Sequence, residues 1–495
     1  MMRIFYSCIC GLVVISLALP AFPDALDAAA LEKLFGDEWY GVYLNGQKAG
    51  YATFRFGRGA GRTYEYEEEV QLKITMSGLQ QDMHMLGKRV YDDTGALVRL
   101  ESRVQDPVSV SEFTAEVQGD QMHLVSKMGG DVTTQWLPKP KESLRDALKF
   151  GLWVAENQPG VGDTLTFAMF EPMYQREITA TSRVAGVEQR LLDGVPTTVY
   201  RIATHYDIMN LDAESYVTAD GTVLEDVLAG IMKIRLEPEH VAKDVRYSND
   251  VIISNAVVLE EAIPDSRTRE SLRLYLAGPL SGDHLFCDER QTLRRDGEQV
   301  LFEAKRISMD DWAGPTLPIQ NPEVAEWTRA TPFVQSDHPK ILEKAREIVG
   351  DTTNAWEAAK KLNEWVRANM RSTFSARFTN ALEVLENLEG DCTEHSVLFI
   401  ALARAVGIPA REVAGLVYVD AGKPAFYFHQ WAKVWVGKWV DMDPTFGQTT
   451  VDVTHIKLGE GDLFDLARII PIIGRLKIHL VSEEAHNQAP ASVTP

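Results

Sequence analysis

The feature that most constrains this chain is a change of hydrophobic period partway along it. From Trp39 to about Val258, apolar residues recur at every second position. Tyr64, Tyr66, Val70, Leu72, Ile74 and Met76 alternate with mostly polar side chains, Glu68 being the one gap, and Val98, Leu100 and Val104 repeat the pattern. Alternate residues of a strand face opposite ways, so such segments bury one face and wet the other, as antiparallel strands do. Asn45-Gly46, Thr94-Gly95, Gly129-Gly130-Asp131 and Asp220-Gly221 supply turns between them. Residues 24–258 are therefore expected to form a large curved antiparallel sheet, with one helix at Lys141–Glu156.

Residues 259–334 read as a connection. Shorter strands such as Leu272–Leu276 and Val300–Ala304 come first, and five prolines then fall between Pro315 and Pro339. That density denies regular structure, so the segment is a linker or is draped over a neighbour. Beyond it the period becomes helical. Ile341, Ala345 and Ile348 form one stripe; Leu362, Trp365, Val366 and Met370 form a second, with Asn354 and Glu357 placed as its cap. A third helix follows Asp391, and strands follow at Arg411–Val419, Tyr427–Val436 and Lys438–Met442. Three helices and then an antiparallel sheet make residues 335–482 an α+β domain, and the whole chain α+β. The polar tail 483–495 is expected to be disordered.

The first 22 residues read as an address. Arg3 precedes an apolar run from Ile9 to Leu19, and Leu19-Pro20-Ala21 offers cleavage after Ala21, the order of a secretory signal peptide. An uncleaved anchor is the rival, weakened by Ser7, Ser16 and Pro20 within the run. The mature chain is thus expected to be periplasmic or secreted. Fifty basic against 71 acidic residues give a net charge of −21, which excludes a general nucleic-acid or anionic-membrane binder. Membrane contact is left to the N-terminal segment. Cys8 and Cys10 leave with a signal peptide, so Cys287 and Cys392 remain. One disulfide between them is the simplest expectation for an exported chain.

The surroundings of Cys392 argue otherwise. In Gly390-Asp391-Cys392-Thr393-Glu394, Asp391 is placed to cap a helix with Glu394 as reciprocal partner. Cys392 then falls in the first turn, where free N–H groups and the helix dipole favour the thiolate form of a thiol. Acyl transfer by a thiolate needs a base and a group to orient it. His429 lies on a strand 37 residues on, and Asp443 follows 14 residues later beyond a Gly437-Lys438 turn. Two antiparallel strands joined by a tight hairpin would bring those two side chains together.

The runs Gly390-Asp391-Cys392-Thr393-Glu394-His395, Leu402 to Arg411, His429 to Trp435 and Trp439 to Thr445 resemble the transglutaminase-like core. Thr454-His455-Ile456-Lys457-Leu458 also resembles bacterial members of that superfamily. The resemblance covers roughly 335–482 and implies a papain-like fold, with Cys392 as nucleophile, His429 as base and Asp443 as orienter. It further implies acyl transfer or hydrolysis at an amide of a polypeptide or peptide-like substrate, through a Cys392 thioester. It calls for no cofactor, and neither an EF-hand nor a His-Glu-x-x-His zinc pattern is present. The calcium-dependent animal enzymes carry β-domains behind the core, whereas here the β region comes first. The competing reading is a non-catalytic envelope binding or scaffold protein that retains the core.

Several neighbours take supporting parts. His395, one turn beyond Cys392, reads as a packing or hydrogen-bonding residue, with an alternative base or substrate contact as its rival. Asp441 shares the strand face of Asp443 without its Pro-Thr context, and Trp431 and Trp435 share that of His429 as core or cleft wall. The Cys392 N–H is expected in the oxyanion hole, with Arg371–Phe378 and Trp365 as candidates for the second donor. Cys287 reads as a structural free thiol.

Overall fold

The structure is a computed structural model that describes residues 31–76, 79–207, 210–245, 250, 254–373 and 379–481. The expected signal peptide at 1–22 and the tail 483–495 lie outside the described residues. Among the described residues no helix is long and apolar enough to cross a membrane.

The upstream part is a single sheet of fourteen antiparallel strands among the described residues. Eight run in order from Gly36–Leu44 out to Asp131–Pro138, and six more from Thr164–Glu171 back to Met232–Leu236. The two series meet where Gly36–Leu44 pairs with Met232–Leu236, Val42 opposite Ile234. The first hairpin turns at Asn45 and Gly46, both with left-handed backbone (φ 48° and 79°), as its two-residue loop requires. Tyr64, Tyr66, Val70, Leu72 and Ile74 all point inward, as their alternation demands.

Glu68 points inward too, which explains the gap in the pattern. It pairs with buried Arg89 at 3.1 Å, and Arg89 meets buried Glu142 at 2.9 Å. Burial raises the Glu68 carboxyl above its ordinary range and pushes nearby Glu171 up to about 8. Val98 departs from expectation. The pairing of Leu79–Tyr91 with Leu97–Gln105 slips by one residue at Tyr91, so Leu97 turns inward and Val98 is only half-buried. The helix runs Leu144–Asn157, starting later than Lys141 because Ser143 and Asp146 form a reciprocal cap. It lies against strands Thr164–Glu171 and Leu211–Thr218.

The connection is built into both of its neighbours. Val257–Val258 pairs with Ala425 and Phe426, while Ser271–Ala277, Gln291–Asp296 and Gln299–Lys305 form a sheet with Lys477–Leu480 from the far end of the chain. The proline-rich stretch wraps the C-terminal helices: Leu317 N–H donates to Thr353 O at 2.8 Å, Ile319 N–H to Gly407 O at 3.0 Å, and Trp312 Nε1 to Val436 O at 2.7 Å. Gly407 (φ 82°) ends a helix here with Pro318 so close that a Cβ would sit 2.5 Å from it.

Ahead of the downstream sheet come four helices among the described residues, Pro339–Val349, Ala355–Asn369, Ala381–Asn387 and Cys392–Ala405. The sequence pattern shows three, because the seven residues of Ala381–Asn387 span under two turns and give no readable period. The Cys392 helix is buried on every side from Thr393 to Arg404, rather than along one stripe. It is enclosed by the other three helices and by strands Ala410–Ala421 and Lys423–Trp435. Those strands belong to a sheet ordered Val257–Val258, Lys423–Trp435, Ala410–Ala421, Ile456–Gly461, with Trp439–Met442 pairing the far end of Lys423–Trp435. Leu416 and Phe428 share one apolar cluster with Leu72 and Leu274, so the large sheet and the smaller one are cored together.

Arg89 is the residue on which the interior charges depend. Arg89→Met leaves Glu68 and Glu142 buried without a cation and should destabilise the fold by roughly 3–5 kcal/mol. Urea denaturation of the full chain at neutral pH checks this, and the loss should shrink in acid as Glu68 takes up a proton.

Candidate active site

Asp391 begins the Cys392 helix with extended backbone, accepts from Thr393 N–H at 2.7 Å and donates its own N–H to Glu394 Oε2 at 2.8 Å. Cys392 is thereby fixed at the first helical position, half-buried, where its N–H has no intrahelical acceptor. Ser396, one turn on, donates its hydroxyl to Cys392 O at 2.7 Å and approaches Gln430 O at 3.2 Å. It ties the helix start to the strand that carries His429. That strand is paired on its outer edge at Ala425–Phe426 and at Ala432–Trp435, and His429 lies in the interval between.

The structure brings Cys392, His429 and Asp443 together. His429 Nε2 donates to Asp443 Oδ2 at 2.8 Å, and the His429 ring also hydrogen-bonds the Cys392 thiol. Strand register sets Lys433 opposite Asp441, so Asp443 reaches His429 diagonally rather than from directly across. Burial alone would strip the imidazole of its proton, but the charges and hydrogen bonds of Asp443 and Cys392 outweigh it and push the ring up to about 10. Burial opposes ionisation of Asp443 as well, yet His429 and His455 hold its carboxyl well below the usual carboxylate range. Asp443 Oδ1 accepts from Thr445 N–H at 2.7 Å and Phe446 N–H at 3.1 Å.

His455 was not singled out as a site residue from the sequence. It is fully buried, with Nε2 3.0 Å from Asp443 Oδ2 and Nδ1 3.3 Å from Asp452 Oδ1. Asp452 is in turn held by Arg267 at 2.8 Å. The signal that pointed there is Thr454-His455-Ile456-Lys457-Leu458, where polar residues alternate with apolar ones at the edge of a buried strand. His429, Asp443 and His455 place one donor atom each within 4.8 Å of one another, near enough to share a single cation. All three are already engaged in hydrogen bonds to each other.

The remaining expected residues take these places. His395 Nδ1 donates to Asp391 O at 2.6 Å and the ring is fully buried, so it braces the helix start. Asp441 accepts from Trp431 Nε1 at 3.0 Å and faces the Lys457 ammonium at 3.7 Å. Trp431 stacks on His429 with ring centroids 6.0 Å apart and forms a wall, while Trp435, half-buried, bonds Pro409 O through its N–H. Trp365 packs among the helices beneath Lys344, and residues 374–378 of the other oxyanion candidate lie outside the described residues. Cys287 is exposed, and neither it nor Cys392 is in a disulfide.

Glu394 keeps the surroundings of the thiol free of a further negative charge. Burial first, and the Asp391 carboxylate second, push its carboxyl up to about 8, so at neutral pH it holds a proton. The folded state binds that proton where the unfolded state has lost it, so this group's contribution declines between about pH 4.5 and pH 8. Glu394→Gln supplies the same donor and acceptor without titrating. Its stability relative to wild type should rise by about 1 kcal/mol or more from pH ~5 to ~8. Thermal melts at the two pH values check this, and an unchanged difference contradicts it.

Residues 343–444 match the profile of the transglutaminase-like superfamily. An uncharacterised protein of Haemophilus influenzae is 34% identical over 110 residues, which are 21% of this chain and 30% of that protein. The matched stretch thus spans under a third of that relative's length. Among solved structures, a candidate cysteine protease of Cytophaga hutchinsonii aligns over 43% of this chain and 84% of its own, at 17% identity and a TM-score of 0.29. A β-barrel-like protein of Brucella abortus, built from a domain of unknown function, aligns over 41% of this chain and 94% of its own, at 12% identity and a TM-score of 0.33. A candidate protease of Parabacteroides distasonis aligns over 78% and 70%, at 11% identity and a TM-score of 0.20. With scores this low, the assignment rests on the profile match and on the residues around Cys392: through residues 343–444, this chain carries a core of the transglutaminase-like superfamily.

Proposed function

We propose that this chain is an exported cysteine enzyme that transfers or hydrolyses the acyl group of an amide in a polypeptide or peptide-like substrate. The observation that carries the reading is the charged chain Cys392, His429, Asp443, in which a buried carboxylate holds the imidazolium against the sulfur. The Cys392 sulfur attacks the amide carbonyl carbon, a C–S bond forms, and the carbonyl electron pair moves to oxygen. The Cys392 N–H is placed to stabilise that oxyanion. Collapse breaks the C–N bond as His429 gives its proton to the leaving amine. The thioester is then resolved by water or an amine, whose proton His429 takes while the C–S bond breaks. The large sheet would present substrate or dock the chain within the envelope.

Cys287 gives an internal control, being the more exposed of the two thiols. If the imidazolium sustains a thiolate at Cys392, iodoacetamide at pH ~6 should label Cys392 roughly tenfold faster than Cys287. His429→Ala should remove that preference. Equal labelling in the wild-type chain would favour the scaffold reading.

Asp443 and Asp441 separate by role. Asp443→Asn offers His429 an amide that can donate where an acceptor is needed. The single-turnover burst with p-nitrophenyl acetate should fall by roughly one to three orders of magnitude, less than in a serine triad. Asp441→Asn weakens the Trp431 and Lys457 contacts, so it should lower the melting temperature while the burst is retained. A lost burst in Asp441→Asn with a normal burst in Asp443→Asn would move the triad to Asp441.

A further inference from the structure

The catalytic carboxylate is shared, and the second user of it has no place in the mechanism above. Asp443 Oδ2 accepts from His429 Nε2 at 2.8 Å and from His455 Nε2 at 3.0 Å, both rings being buried. Orientation of the carboxylate does not need His455, because Thr445 and Phe446 N–H groups already fix Oδ1. Holding His455 in place nevertheless engages a chain of groups. Asp452 faces its Nδ1, and Asp452 itself is bound by Arg267, whose guanidinium also donates to Tyr418 O at 2.6 Å and Thr454 Oγ1 at 3.2 Å. Arg267 comes from the connection upstream of the core, 185 residues from Asp452.

Two donors on one oxygen divide its basicity. We propose that His455 is a positioning residue that tempers the stabilisation Asp443 gives to the His429 imidazolium, so that the ring can release the proton on its other nitrogen to a leaving amine. The inference rests on the cysteine-enzyme reading. The charged and titratable groups that face the cluster are Cys392 and His395 from the helix, Asp452 and Arg267 behind His455, and Arg367 toward His395. None of the others donates to Asp443 Oδ2 in the structure.

The sign follows. Without the His455 donor, more of the Asp443 charge is left to offset that of the His429 imidazolium, so the ring holds its proton more tightly but stabilises the thiolate less, and the thiolate is protonated in less acidic solution. Alkylation by iodoacetamide needs no proton from His429 and reports that limb directly. In the full chain, His455→Phe keeps a ring of similar size and removes the donor. Its Cys392 alkylation profile should keep its shape and plateau with the acid limb displaced to higher pH by about one unit, so that near the foot of the wild-type limb the variant reacts roughly tenfold more slowly. His455→Gln, which retains an N–H donor, should return the limb toward wild type. A role confined to packing would slow alkylation at every pH in both variants, without moving the limb, and would overturn the proposal, as would a limb displaced downward. Circular dichroism of both variants verifies the fold, and if His455→Phe fails to fold, an upward limb in His455→Leu carries the same weight. If wild-type Cys392 itself shows no reactivity in acid, the enzyme reading fails rather than this one.

Discussion

The site depends on one buried carboxylate being kept ionised. Asp443 has no exposed surface, and an isolated charge there would be expelled as a proton or would unfold its surroundings. It survives because four donors converge on it: two backbone N–H groups from the turn that follows, and two imidazoles. The turn is local and follows from Asp443-Pro444-Thr445. The imidazoles are brought by strands Lys423–Trp435 and by the approach to Ile456–Gly461, on either side of Ala410–Ala421. The charge on Asp443 in turn sustains the imidazolium of His429, and that ring also hydrogen-bonds Cys392.

This arrangement ties the chemistry to parts of the chain that lie far from the core in sequence. Gly415 sits opposite His429 and lets Ile456 O and the Trp431 ring lie against the strand, where a Cβ would come within 1.9 Å and 3.0 Å of them. Asp288, from the connection, helps hold Lys457 and Lys433 beneath Trp431 and Asp441. Arg267 anchors the Asp452 end. With the sheet Ser271–Ala277, Gln299–Lys305 closed by Lys477–Leu480, the core domain is clasped by what precedes it.

The legible part of the sequence is the part whose physics is local. Alternation over Tyr64 to Ile74 reflects a sheet with one buried face, and the Asp391 to Glu394 cap announces the helix that presents Cys392. His429 and Asp443 can be connected because a short hairpin leaves little freedom in where they meet. His455 is different. Its partner lies 12 residues away across a loop, with His455 at the entry to the strand that joins the sheet beside Ala410–Ala421, and nothing in the intervening residues encodes that adjacency. Arg267 and Asp452 are more remote still. Glu68 reads as a flaw in a strand until Arg89 and Glu142 are placed beside it, and Val98 reads as buried until the bulge at Tyr91 is known.

The central claim is that Cys392 becomes acylated with help from His429. The direct measurement is to react the full chain with p-nitrophenyl acetate, quench in acid and map the acetyl group by peptide mass spectrometry. The account predicts a thioester on the peptide bearing Cys392 that is lost in His429→Ala and decays when water or an added amine is given time to react. Acetylation confined to Cys287 or to surface lysines, with Cys392 unmodified, would contradict it.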